Sequence, residues 1–296
     1  MKQFKIVLIA VFAPFFTSEA QTKGINDLDP VVEHKIDSIL ELMTVKEKVG
    51  QMVQYNGSFD VTGAPSDIDS KTKLQKLKNG EVGSMLNVLT AEATREAQQV
   101  VMENSRLKIP LLFGYDVIHG YKTMFPVPLG ESASWDLDAM KLSASIAAKE
   151  TAAAGVHWTF APMIDVSRDA RWGRIMEGAG EDPYLNAVTG VARIKGFQGS
   201  DLADVATIAA CAKHFAGYGF AEAGRDYNTV NVGTSELQNA ILLPFKAAAE
   251  AGVATFMNSF NEIDGVPSTA STYLQRDILK GAWDYKGFMV SDWGSI

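Results

Sequence analysis

From residue 81 onward the chain alternates between short apolar runs and longer stretches of helical period. The runs fall at 82–88, 110–116, 157–165, 208–214, 253–259 and 287–292. Each is short and lacks the apolar-polar alternation of a half-exposed strand, so each predicts a strand buried on both faces. Between them, 136–154, 235–251 and 272–280 carry helical period and cap residues, and they stop at Gly155, Gly252 and Gly281. Strand and helix in turn predict a parallel sheet built from βα units. Ahead of this rhythm, Asp29-Pro30 opens a helix with Ile36, Ile39, Leu40 and Met43 on one face. Thr44 and Glu47 then form a capping-box pattern in front of Val49 and Met52, and the Gly, Ser, Asp and Pro of 56–70 read as a loop.

A doubly wound sheet and a (β/α)8 barrel both give this pattern. No glycine-rich phosphate loop follows the first strand, which favours the TIM-type barrel. Six strands are counted where a barrel has eight, so the expectation is an α/β barrel incomplete at its C-terminus. With 47% hydrophobic and 21% charged residues among 296, the chain is of globular rather than disordered composition.

Three further features narrow the class. Lys2 and Lys5 precede an apolar run at 6–16 that is short for a membrane span of about 20 residues, and Ser18-Glu19-Ala20 supplies small residues at the cleavage positions. Residues 1–20 therefore read as a signal peptide cut after Ala20, the rival reading being an apolar first element of the fold; the mature chain, 21–296, is expected to be secreted or periplasmic and to have no membrane span. Losing Lys2, Lys5 and Glu19 makes the mature chain one unit more negative than the −8 of the whole. An acidic chain without a Lys/Arg stripe speaks against nucleic acid and for a neutral substrate. Cys211 is the single cysteine, which rules out an intrachain disulfide and a thiolate zinc cluster; it reads as a small core residue.

In a parallel barrel the chemistry sits at the carboxyl ends of the strands. Those ends here are Asp116 with His119; Asp165 followed by Arg168, Arg171 and Arg174; Lys213-His214; Asn258-Ser259; and Ser291-Asp292. Any one of them alone is equally well a solvated strand end or a salt bridge. Together, carboxylates with Lys, His and Arg suit a polyhydroxylated substrate, and an ionised aspartate such as Asp292 can attack an oxocarbenium-like carbon. Trp293 either offers a ring face to a sugar or packs. A metal-dependent barrel hydrolase using Asp116, His119, His214 and Asp292 is a rival, weakened by the lack of a His-x-His pair and by Lys213 beside His214. A sugar-binding barrel without turnover is another.

Four blocks carry a resemblance. Phe288-Met289-Val290-Ser291-Asp292-Trp293 is similar to the nucleophile motif of glycoside hydrolase family 3, and Gly114-Tyr115-Asp116-Val117-Ile118-His119-Gly120 to an earlier motif of that family's β-glucosidases. The stretch 165–174 and Ala212-Lys213-His214-Phe215-Ala216 resemble its substrate-binding segments, so the likeness runs from about Asp29 to the end. The resemblance implies hydrolysis of terminal non-reducing β-D-glucosyl residues from β-glucosides or oligosaccharides by a retaining mechanism that needs no cofactor. It makes Asp292 the nucleophile, Asp116 the aspartate that grips glycosyl hydroxyls, and Arg174, Lys213 and His214 further sugar ligands; Arg171 is the weaker candidate, and Glu177 or Glu181 competes for Arg174.

Two departures matter. Phe260 stands where the family often has a tyrosine near the nucleophile. Retaining hydrolysis also needs a second carboxyl roughly 5 to 5.5 Å from the first. The hexosaminidase branch supplies an Asp-x-His pair, but here the loop reads Glu222-Ala223-Gly224-Arg225-Asp226-Tyr227 and no histidine follows His214. The glucosidase branch uses a glutamate of a second, α/β sandwich domain, which would lie beyond Ile296. The acid/base is thus expected to be absent from this chain, with Glu177 and Glu222 as the internal alternatives.

Overall fold

The computed structural model describes residues 29–57 and 70–296. Residues 1–20, read above as a signal peptide, and nearly all of the 56–70 stretch, read as a loop, lie outside the described residues. In chain order the elements are α1 (Pro30–Leu42), α2 (Val45–Gln51), β1 (Gln54–Asn56), α3 (Ser70–Lys78), β2 (Ser84–Leu86), α4 (Ala91–Asn104), β3 (Leu112–Tyr115), α5 (Pro128–Ser132), α6 (Leu137–Ala153) and β4 (Trp158–Thr159). Then come α7 (Pro183–Gln198), β5 (Cys211–Phe215), α8 (Thr234–Glu236), a π-helical segment (Leu237–Ile241) that leads into α9 (Leu242–Glu250), and β6 (Thr255–Asn258). A short antiparallel hairpin, β7 (Glu262–Ile263) with β8 (Val266–Pro267), precedes a second π-helical segment (Tyr273–Ala282) and β9 (Phe288–Val290).

The strands β1, β2, β3 and β4 pair in that order, as do β5, β6 and β9, every pair parallel. Single parallel bridges, Trp158 to Ala209 and Met163 to Lys213, carry the order across from β4 to β5. Seven parallel strands thus follow one another as in a (β/α)8 barrel, with helices outside. All six predicted strands are present. The additional one, β1, is Gln-Tyr-Asn, which has no apolar run to announce it.

Interior and outer layers are separately packed. Leu86 of β2, Trp158 of β4 with Phe160 just beyond it, Cys211 of β5 and Met257 of β6 pack into one buried cluster, where the Trp158 indole N–H donates to Thr255 Oγ1 at 2.9 Å. Burial pushes the Cys211 thiol up to about 12, so it is an inert core residue, as expected. Outside, α6 lies close against α7. A Cβ at Gly196 would meet the Lys141 carbonyl at 2.4 Å and Ala144 Cβ at 2.6 Å, so only glycine allows this approach.

The caps explain most helix starts. Asp29 accepts from the Val31 N–H at 2.8 Å, and Asp136 from the Ala139 N–H at 2.9 Å. The Thr44–Glu47 capping box forms in both directions, and Arg106 clamps the same glutamate at 2.7 Å. The row Ile36, Ile39 and Leu40 is exposed, and no residue of α1 is buried. Helix α7 escapes the periodicity because Gly190 and Gly196 interrupt it, although Asp182-Pro183 is a regular start.

Candidate active site

The parallel sheet gathers the ends of its strands at one edge, and five of them supply charged or polar side chains. Asp116 directly follows β3, Asp165 lies beyond β4, Lys213 and His214 are in β5, Asn258 ends β6, and Asp292 follows β9. The β5–β6 register shifts between Ala212 and Phe215, and the Lys213–His214 and Phe215–Ala216 peptides are cis. A bulged strand re-aims its side chains. Here Lys213 turns toward β3 and His214 toward the segment after β4.

Lys213 Nζ donates to Asp116 Oδ1 at 2.7 Å; the lysine is almost wholly buried, while Asp116 stays partly open at 29%. A buried ammonium needs such a partner. His214 is fully buried. Its Nδ1 lies 2.8 Å from Asp165 Oδ2, and its backbone N–H donates to that same oxygen at 2.9 Å. On the other side, Nε2 lies 3.4 Å from Oδ2 of Asp292.

Asp292 itself accepts from the Trp293 N–H through Oδ1 at 2.6 Å. Its Oδ2 is buried and has no hydrogen-bond partner among the described residues. Burial pushes the Asp292 carboxyl above its usual range, against the pull of the Trp293 N–H, Lys213 and Arg174. Burial likewise pushes Asp165 up to about 8. It drives His214 well below the usual imidazole range, with Arg174 and Lys213 adding their positive charge.

Arg174 makes the ion pair foreseen as its competitor. Nε and Nη2 reach the two oxygens of Glu177 at 2.7 and 3.0 Å, and the guanidinium stands 5.5 Å from the Tyr218 ring centre. Glu181 is not its partner. Arg171 turns away onto Asp169 at 2.6 Å in an exposed pair. Trp293 is 37% exposed beside the nucleophile candidate. Asp116, Asp292, Lys213, His214 and Arg174 therefore form one cluster, with the cations interleaved between carboxylates.

Phe260 packs within an aromatic cluster around His214. Tyr218 meets the His214 ring edge-on at 5.1 Å, Phe260 at 5.6 Å and Trp172 at 5.2 Å. Tyr218 is fully buried, and burial, with Asp226 beside its hydroxyl, raises its pKa against the pull of Arg174. Sequence reasoning did not single it out; its signal was a tyrosine between Gly217 and Gly219 directly after the β5 block. Glycine is required at 219, since a Cβ there would meet the Val166 carbonyl at 2.2 Å. The Arg168 N–H donates to the Gly219 carbonyl at 2.9 Å, fastening the two segments together.

The other candidates are otherwise engaged. His119 places Nδ1 3.0 Å from the Phe125 carbonyl. Among the described residues no three His, Cys, Asp or Glu side chains gather as a metal-binding group. Glu177 is held by Arg174, and Glu222 accepts from Asn231 Nδ2 at 2.6 Å. Chemically the cluster combines an acceptor and a donor for hydroxyls, Asp116 with Lys213, and a buried carboxylate, Asp292, whose Oδ2 lies 3.4 Å from His214 Nε2 without a hydrogen-bond partner.

Residues 44–296 match the model of the glycosyl hydrolase family 3 N-terminal domain. The chain is 41% identical over 261 residues to a periplasmic beta-glucosidase of Salmonella typhimurium, covering 88% of this chain and 33% of that protein. It is 33% identical over 249 residues to a beta-xylosidase of Formosa agariphila, covering 79% of this chain and 34% of that protein. Among solved structures it is similar to the beta-glucosidase of Listeria innocua in complex with isofagomine, with a TM-score of 0.83, 40% identity, and coverage of 89% of this chain and 37% of that one. The chain thus spans about a third of the length of the relatives it matches.

Proposed function

Because this chain belongs to glycosyl hydrolase family 3, through the N-terminal domain of that family, we propose that it supplies the nucleophile and the sugar-binding face of a retaining β-glucosidase. The observation that carries this reading is Asp292, a buried carboxylate with an unpartnered oxygen beside Lys213, Arg174 and His214. A terminal β-D-glucosyl unit would lay its hydroxyls on Asp116 and Lys213, whose ion pair presents both an acceptor and a donor, with Arg174 at the far side and the Trp293 ring along an apolar face. The Asp292 carboxylate attacks the anomeric carbon and forms a glycosyl ester as the aglycone leaves; water then opens the ester, and the sugar departs with its β configuration.

Protonating the aglycone requires a second carboxyl. Glu177 is committed to Arg174 and Glu222 to Asn231; the proton donor of this proposal is the one the family resemblance implies, a glutamate of a C-terminal α/β sandwich domain. Residues 1–20 act as the export signal and the enzyme works in the periplasm or outside the cell. Among the described residues no helix is long and apolar enough to cross a membrane. The chain alone then binds glycosides and turns over ordinary ones poorly; the commitment of both internal glutamates is what favours this binding-only behaviour for 21–296 by itself.

The test is proton NMR of the first product formed from a β-glucoside by the polypeptide carrying both domains. β-Glucose appearing ahead of its α anomer is the expected result. α-Glucose appearing first contradicts a retaining mechanism, and a large preference for β-xylosides contradicts glucose as the glycosyl unit.

A further inference from the structure

The loop after β5 holds an exposed aromatic ring close to the charged cluster. Tyr227 is 64% exposed, yet its ring meets Phe260 edge-on at 5.1 Å and Tyr218 at 6.0 Å. Both of those rings in turn border His214, Phe260 at 6.5 Å and Tyr218 at 5.1 Å. Tyr227 is thus one ring removed from the histidine of β5. It lies on a loop at the carboxyl end of a strand, the face where the cluster gathers, but outside the cluster itself.

Fixed backbone presents this ring. Tyr227 has φ of 65°, a left-handed conformation that a bulky residue adopts at a cost and keeps only where its surroundings impose it. The surroundings do so from several directions. On one side of Tyr227, the Trp172 indole N–H donates to Asp226 Oδ1 at 2.9 Å. On the other, the Asn228 N–H donates to the Arg225 carbonyl and its Nδ2 to the Glu222 carbonyl, both at 3.1 Å. The Glu222 N–H closes the loop onto the Thr229 carbonyl at 3.0 Å. Gly224 seats the loop on the 169–172 turn so closely that a Cβ would meet the Trp172 nitrogen at 3.0 Å. Burial is not what the ring gains from this arrangement, since most of its surface stays in water. A strained, exposed, firmly held aromatic residue beside a site is placed to receive a ligand.

The shape of the site says which part of a ligand reaches it. Lys213 and His214 are buried, and Asp116, Arg174 and Asp292 are half-buried. A glycosyl unit seated among them is enclosed, and whatever it carries beyond the anomeric carbon must lead out past Asp292 to the rim. Resting on the glycosyl site proposed above, we infer that Tyr227 is a specificity-determining residue for the aglycone. Its open face stacks on a flat ring, either an aromatic group or a second pyranose, joined to the glucosyl unit held by Asp116, Lys213 and Arg174. Phe260 and Tyr218 back the Tyr227 ring and set its distance from the cluster.

Calorimetric titration of the chain with three ligands tests this without turnover. Glucose has no aglycone, phenyl 1-thio-β-glucoside carries an aromatic one, and 4-thiocellobiose carries a second sugar. Tyr227→Asn removes the ring and suits the left-handed backbone, whereas Tyr227→Phe keeps the ring. The asparagine variant should bind glucose within about twofold of the parent, which also shows that it is folded. It should bind at least one thioglycoside about three- to tenfold more weakly, and the one affected identifies the aglycone as aromatic or sugar. The phenylalanine variant should match the parent throughout. Equal weakening for glucose, or unchanged affinity for both thioglycosides, overturns the inference and leaves the proposed function standing. A phenylalanine variant as weak as the asparagine one also overturns it, because the contact would then belong to the hydroxyl. An unmutated chain that does not bind glucose would sink the proposed function and this inference together.

Discussion

Substituting Arg193→Met isolates the energetics that hold the β3 end of the site. Arg193 in α7 and Glu131 in α5 form an ion pair with side chains only 8% and 9% exposed. The guanidinium also donates to the Ile118 carbonyl, two residues beyond Asp116, and Ser143 Oγ donates to Glu131. Methionine removes the guanidinium, which stands 5.8 Å from the Phe197 ring centre, and strands the Glu131 carboxylate with one hydroxyl donor. Breaking a buried pair from one side costs about 3–5 kcal/mol, a large part of the roughly 5–15 kcal/mol that stabilises an ordinary domain. Adding Glu131→Leu removes the stranded charge, and the double variant should return to within about 1 kcal/mol of the parent. Both variants lose the tether on Ile118, so both should bind glucose more weakly through a displaced Asp116. Urea unfolding followed by tryptophan fluorescence, reporting on the buried Trp158 and Trp172, measures the first effect, and calorimetric titration with glucose the second. A single variant destabilised by less than about 1 kcal/mol, the size of an exposed pair, or a double variant no more stable than the single, refutes the reasoning.

Three more outcomes follow from the same geometry. Lys213→Met removes the donor 2.7 Å from Asp116 and one expected hydroxyl contact, so glucose affinity should drop about ten- to a hundredfold by calorimetry, and an unchanged affinity would remove Lys213 from the site. Asp292→Asn should abolish covalent labelling yet be more stable than the parent at pH 8. The raised pKa of Asp292 means that the stability associated with its neutral form is complete below 3.8 and is lost as pH rises through the folded value; the gap between variant and parent should therefore close on acidification, and a gap that widens in acid reverses the sign of the argument. Glu47, held at about 2 by Arg106 and the Thr44 cap, works the other way: the stability it adds is complete above 4.5 and disappears as pH falls toward 2. Stability curves of the parent and Glu47→Gln should converge over that acid window, and curves that stay parallel would show that the carboxyl is not the group responsible.

The strand ends carried most of what was legible. An apolar run that closes on a charged residue is a local signal, and so Asp116, Lys213, His214 and Asp292 could be placed at one edge from their positions alone. Arg174–Glu177 was legible for the same reason, being three residues apart on a helical turn. By contrast, Asp165 contacts His214 across 49 positions, and that contact depends on how the segment after β4 lies against a bulged β5. Tyr218 is equally remote from its neighbours in sequence, and its burial depends on glycine contacts that no periodicity reveals. In the fold, β1 lacked an apolar run because its three residues are polar or amphipathic, and α7 was masked by the two glycines that let it pack close. What was missed therefore lies in tertiary contacts rather than in local propensity.

Covalent trapping decides whether Asp292 is the nucleophile. A dinitrophenyl 2-deoxy-2-fluoro-β-glucoside has a leaving group that departs without protonation, so it can react even where the proton donor lies elsewhere. Intact mass followed by peptide sequencing should find a single fluoroglucosyl group, on Asp292, and none in Asp292→Asn. A label on Asp116, Glu177 or Glu222, or no label on a chain that binds glucose, would contradict the account.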